Sequence, residues 1–161
     1  MSTGYIQVRD ALHTLLHTGV GSYLTTANVT NGDHKILDSG NEYAAILERG
    51  DSAVETGGPE NTQDFIYEIL LELWVRYKSE LATKDSLNLF IESVKARIEQ
   101  NPAMLGVKGI VATGTLITAI DQPQEIFLRG VSETALPVFM MSVMHVQIEY
   151  RSRITGGEFR S

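Results

Sequence analysis

Three groups of residues in this chain have types and spacings that chemistry uses. His13 and His17 stand one helical turn apart with Asp10 beside them. An i, i+4 histidine pair can hold a metal ion, but no Glu follows His13, so the zinc-protease pattern is missing. The ordinary reading is a solvated helix face. Glu68, Glu72, Arg76 and His145 form the second group. Paired carboxylates can flank a substrate, and a histidine can serve as a base. On a strand, the simpler expectation for Glu68 and Glu72 is a ladder of cross-strand ion pairs, and for His145 a place at the core edge. The third group is "ERGDSAVETGGPENT", Glu48 to Thr62. It holds Arg49-Gly50-Asp51, an adhesion tripeptide in other contexts, and a glycine-rich run. "ETGGPEN" lacks the Lys-Ser/Thr of a phosphate-binding loop and precedes a strand, and Glu55 and Glu60 would repel phosphate. Three-residue matches arise often by chance, so Gly50-Asp51 reads as the exit turn of a strand. No Gly-x-Ser-x-Gly elbow occurs. Met140, Met141 and Met144 read as core or interface filler. No catalytic, cofactor-binding or metal site converges from these residues.

The elements that would position them follow from hydrophobic period. Gly4 to Val20 repeats Tyr5, Val8, Leu12 and Leu15 at helical spacing, with Ser2 or Thr3 as the cap and Gly19 as the stop. In Gly21 to Gly40, Asn31-Gly32 favours a tight turn between two short strands. Tyr43 to Arg49 suits a buried strand, and Ser52 to Thr62 an exposed loop. In Gln63 to Lys78, "QDFIYEILLELWVRYK", every odd position is apolar. Period two over that length argues for a strand, and its aromatic and branched content agrees. Lys84 to Gln100 is a helix with the stripe Leu87, Phe90, Ile91, Val94 and Ile98, capped by Thr83 or Asp85 and ended by Asn101-Pro102. Val107 to Ile120 reads as β, with Gly109 and Gly114 as bulges or close approaches. A short strand is expected within Glu125 to Leu128, a long one over Pro137 to Arg151, and a flexible tail after it.

The resulting order is α–β–β–α–β–β in a single domain. Strands joined without a helix pair antiparallel. The expected fold is α+β: a four-stranded, mainly antiparallel sheet with two helices on one face and long projecting loops. Its 161 residues suffice to bury roughly 70% of the exposable surface. A chain without Cys needs no oxidising compartment, and no signal peptide or membrane-length apolar run is visible, so the expected setting is cytoplasmic. A net charge of −7 argues against gripping nucleic acid through its phosphates.

What stands out is geometric. Two strands of about 15 residues would each run roughly 50 Å, well beyond the usual strand. Such strands project past their own core and invite pairing with a neighbour. Their second faces, carrying Ile66, Leu70, Trp74, Phe139, Met141 and Val143, also need covering.

The succession of a short helix, "ILERGD", a long polar loop, "LELWVRYK", "SLNLFIESVKARI", "NPAM" and "VFMMSVMHVQIEYR" resembles the tail terminator (tail completion) proteins of long-tailed bacteriophages. Gly21 to Gly40 departs from that pattern, being longer than the family's usual link. The resemblance implies a non-enzymatic virion protein of the tail–neck region, assembled in the host cytoplasm, without cofactor or membrane. It implies a homohexameric ring that caps the tail tube, ends its polymerisation and meets the head–tail connector, with DNA only passing through the lumen. An assembly arm would then include Asp51, Glu55, Gly57, Gly58, Pro59 and Glu60. A sheet-face interface would include Glu68, Glu72, Trp74, Arg76, Met141 and His145. A head-completion or connector ring, or a tube subunit, is the related alternative. A ligand-binding domain or enzyme built on Glu68, Glu72, Arg76 and His145 is the distant one.

Overall fold

The period-two stretch from Gln63 is a strand, and it lies at the centre of everything else. The computed structural model describes residues 3–19, 29–30, 42–55, 62–127 and 137–153. In chain order these form α1 (Thr3–His17), β1 (Val29–Thr30), β2 (Glu42–Glu55), β3 (Thr62–Arg76), α2 (Glu80–Gln100), β4 (Ile110–Ile120), β5 (Gln124–Ile126) and β6 (Phe139–Arg153). The sheet order is β1-β2-β3-β6-β4, with β5 also paired to β6. Each of the four long strands is antiparallel to its neighbours, and the two-residue β1 joins β2 in parallel. The expected α+β class, the four-stranded antiparallel core and the two helices on one face all hold. The short strand expected within Glu125 to Leu128 is present as β5, and the two-residue β1 falls at the end of the first short strand expected within Gly21 to Gly40.

The face assignments follow from the pleat. Tyr67, Ile69, Leu71, Leu73 and Val75 of β3 are buried with Met140, Met144, Val146, Ile148 and Tyr150 of β6. They meet Tyr5, Val8, Leu12, Leu15 and Leu16 of α1 and Leu87, Phe90, Val94 and Ile98 of α2. Burying each of these large apolar side chains contributes about 1.5–3 kcal/mol. The helices are tied to each other as well. Arg97 of α2 donates from Nε to the Leu15 carbonyl at 3.0 Å and from a terminal nitrogen to Thr18 Oγ1 at 3.2 Å. A guanidinium at a helix C-terminus satisfies a carbonyl that the helix leaves unpaired.

Several boundaries differ from the sequence reading. The second helix begins at Glu80, a turn earlier than expected. Its cap is Ser79, whose Oγ accepts from the Ala82 N–H at 3.3 Å. Thr83 is instead buried and accepts from the Lys78 N–H at 2.9 Å. Strand β2 does not stop at Arg49. Its apolar run ends there, but its ladder to β3 resumes at Ser52 and continues to Glu55 opposite Asp64. Residues 52–55 are therefore strand, not loop, and Arg49-Gly50-Asp51 is a bulge within β2 rather than its exit. Strand β6 likewise runs through Arg153, past the start expected for the tail. The expected capping by Ser2 and the turn at Asn31-Gly32 lie outside the described residues.

Gly109, just before β4, and Gly114 within it are close approaches, as expected. Gly109 has φ +95°, and a Cβ there would lie 2.5 Å from the Tyr150 ring. A Cβ at Gly114 would lie 2.3 Å from Glu149 Cβ. Each is a place where the backbone passes close beneath a β6 side chain.

Candidate assembly surfaces

The alternation that sends odd β3 residues to the helices sends the even ones to the opposite face. Register pairs Trp74 with Met141, Glu72 with Val143, Leu70 with His145, Glu68 with Gln147 and Arg76 with Phe139. All six expected sheet-face residues, Glu68, Glu72, Trp74, Arg76, Met141 and His145, therefore share one face. The structure brings them together but divides them into two chemically different ends.

One end is packed within the chain. Trp74, Phe139 and Met141 form a second apolar cluster with Ile126, Val138 and Val143 against it. Trp74 and Phe139 meet edge to face, 5.8 Å between centroids. The Arg76 guanidinium lies 5.1 Å from the Phe139 centroid, a cation–π geometry. The indole Nε1 donates to Glu72 Oε1 at 3.2 Å. Trp74 and Met141 are only 6% and 8% exposed, so the apolar cover they needed is supplied by the chain itself. The expected ladder of ion pairs does not extend across to β6, because Gln147 and Val143 stand opposite Glu68 and Glu72.

Moving along the face, His145 Nε2 lies 3.0 Å from Asp121 Oδ1. Asp121 also donates its N–H to the Val143 carbonyl and accepts from Ser142 Oγ at 2.7 Å. These bonds hold the corner where β4 leaves β6. His145 is thus a structural partner, half-buried at the core edge.

At the far end Asp64 and Arg151 stand directly opposite and form a two-pronged ion pair, Nε–Oδ1 2.7 Å and a terminal nitrogen to Oδ2 3.0 Å. The hydrogen bond from Arg151 holds the Asp64 carboxyl below its ordinary pKa, against the opposing effect of burial, and Asp64 in turn raises Arg151. This pair was not legible in sequence, since 87 positions separate its members.

Of the expected arm, Asp51 and Glu55 lie on β2, while Gly57, Gly58, Pro59 and Glu60 lie outside the described residues. On α1, His13 Nε2 lies 3.1 Å from the Val29 carbonyl, which makes that nitrogen a donor and not a metal ligand. Among the described residues no group of three metal-ligating side chains occurs, and no helix is long and apolar enough to cross a membrane.

Fold and face together define a class: an α+β protein with an open antiparallel sheet and both helices on one side. No family model matches the sequence, and no curated protein matches it. Among solved structures, a chain from the virion of a native gene transfer agent (GTA) particle is similar in fold, with a TM-score of 0.54. The likeness spans 94% of this chain and 99% of that one, at 7% sequence identity.

Proposed function

We propose that this chain is a structural protein of a virion, and specifically a tail terminator: a non-enzymatic subunit of a ring that caps a tail tube, ends its growth and meets the head connector. The observation that carries the virion reading is the likeness of its fold to a chain of a gene transfer agent virion over 94% of this chain and 99% of that one. The finer role rests on the resemblance of its sequence elements to tail terminators and on the two 15-residue strands. Those two strands pair with each other at the centre of the sheet, and the long edges open to lateral contact are those of β2, 14 residues, and β4, 11 residues. A net charge of −7 suits a ring through which DNA passes without being held.

Negative-stain microscopy of the concentrated protein, with light scattering on the same sample, tests this. Rings with an opening of DNA width, alone or on added tail tubes, are expected. A compact dimer that ignores tube ends would overturn the proposal. Particles lacking the protein should carry tails of aberrant length or unjoined tails; open heads would move the role to a connector ring. The arm is best tested by deleting Thr56 to Asn61 alone, since Ser52 to Glu55 belong to a paired strand.

A further inference from the structure

The two edge strands of the sheet are interrupted at the same level, and this complementarity points to how one copy meets the next. Two rows cross the whole sheet. One is Glu48–Ile69–Val146–Ile117, and the other is Ala53–Ile66–Glu149–Val111. Between these rows β3 places two residues, Tyr67 and Glu68, and β6 places two, Gln147 and Ile148. Edge strand β2 places four, Arg49 to Ser52, and edge strand β4 places five, Ala112 to Leu116; β4 has a further, smaller shift just beyond the first row, between Ile117 and Ala119. Both edges therefore carry excess backbone against a straight centre. A bulged edge rejects a regular strand, because the ladder breaks where the extra residues stand. It accepts a strand whose own excess falls at the same height.

Direction and charge agree. With four antiparallel long strands, β2 and β4 run in opposite directions, so β4 of one copy beside β2 of the next continues the antiparallel alternation. Beyond Ala44 and Ala45, which pair with β1, the outer edge of β2 has no strand partner among the described residues, and neither does that of β4. Strand β2 carries Glu42, Glu48, Asp51 and Glu55 against a single Arg49, so two copies of β2 would oppose like charges. Strand β4, IVATGTLITAI, carries no charge at all, and it exposes Leu116 and Ile120. The Gly109 carbonyl accepts from the Arg151 N–H, on the row of Asp64 and Glu55.

We infer that copies of this chain join head to tail through their sheet edges, β4 of one lying antiparallel beside β2 of the next with bulge against bulge. The inference rests on the ring reading above and names the contact that would close it.

The chain has no Cys, so introduced thiols are the only ones present. Val111→Cys and Ala53→Cys lie on one row and one face, and across an antiparallel junction such positions come within disulfide reach. Mild oxidation of the double variant should give a covalent ladder up to the size of the ring. Mixing the two single variants should give only a cross-linked pair, and neither single variant should cross-link alone. Rings seen by microscopy without a ladder would overturn the edge contact and leave the ring reading standing. Absence of both would overturn the two together. Cross-linking of either single variant alone would mean a two-fold contact and reject the head-to-tail one. Glu48→Cys with Ile117→Cys, on the other row and face, repeats the test should the first pair disturb folding.

Discussion

The central strands and the edge strands of this sheet obey different rules. β3 and β6 pair over fifteen residues, Thr62 with Arg153 through Arg76 with Phe139, without a shift. β2 slips against that ribbon once, between Glu48 and Ser52, and β4 slips twice, between Val111 and Leu116 and again between Ile117 and Ala119. The centre is held by burial: its helix-facing residues are apolar and closed off, and a one-residue slip would turn them all to the wrong face. Where they slip, the edges have a strand on only one side among the described residues, so extra residues cost them less. Regularity here tracks the number of neighbours that enforce it.

If that comparison is right, damage should be graded from centre to edge. Leu71→Ala, at a fully buried position on β3, should cost about 2–5 kcal/mol in urea unfolding, since it leaves a cavity no neighbour can fill. A cost near that of a surface substitution would mean the centre is not the stabilising unit. Asp64→Asn, at the far end of the same ribbon, should cost about 1.5–3 kcal/mol through loss of the charged hydrogen bonds to Arg151. It carries a pH signature too. Asp64 has a folded pKa below its unfolded one, so its stabilisation is present above the unfolded value and is lost as pH falls through the acid range. The Asn variant should lose less stability than the parent on acidification below about pH 4. Parallel acid titrations of the two would contradict this.

Gly114→Ala tests an edge. A new Cβ would collide with Glu149, but β4 has only β6 beside it and can move away. The expected cost is about 1 kcal/mol, the low end for overpacking. A cost as large as that of Leu71→Ala would erase the distinction between centre and edge. Smallest is Leu105→Gly, in the turn after α2. Leu105 has φ 63° and is half exposed. Relief of the left-handed backbone is offset by glycine's greater entropy loss, for a net gain of about 0.5 kcal/mol or less, readable as a small rise in Tm.

How much of this was legible in the sequence follows the same division. The long central strands, the helical stripes and the faces they share are encoded in local apolar period, which Phe65 to Tyr77 and Val138 to Tyr150 display directly. The close approaches at Gly109 and Gly114 were legible because glycine within a strand has few other uses. The continuation of β2 past Gly50 was not, because backbone pairing to β3 sustains it where the apolar signal has stopped. The start of α2 was set a turn early by Ser79, one of several possible caps in "SELATKD". The candidate residues Trp74, Arg76 and Met141 were found by alternation, but their enclosure with Phe139 depends on register between distant strands. The same holds for His145 with Asp121 and Asp64 with Arg151.

The unbroken β3–β6 ribbon also has a mechanical reading. A load that slides one strand along the other strains all fifteen pairs in parallel, and none can yield before the rest. A load that peels them apart meets one pair at a time. A subunit built around this ribbon is therefore stiff along its strands and weak across them, and any pull transmitted through it is best borne end to end.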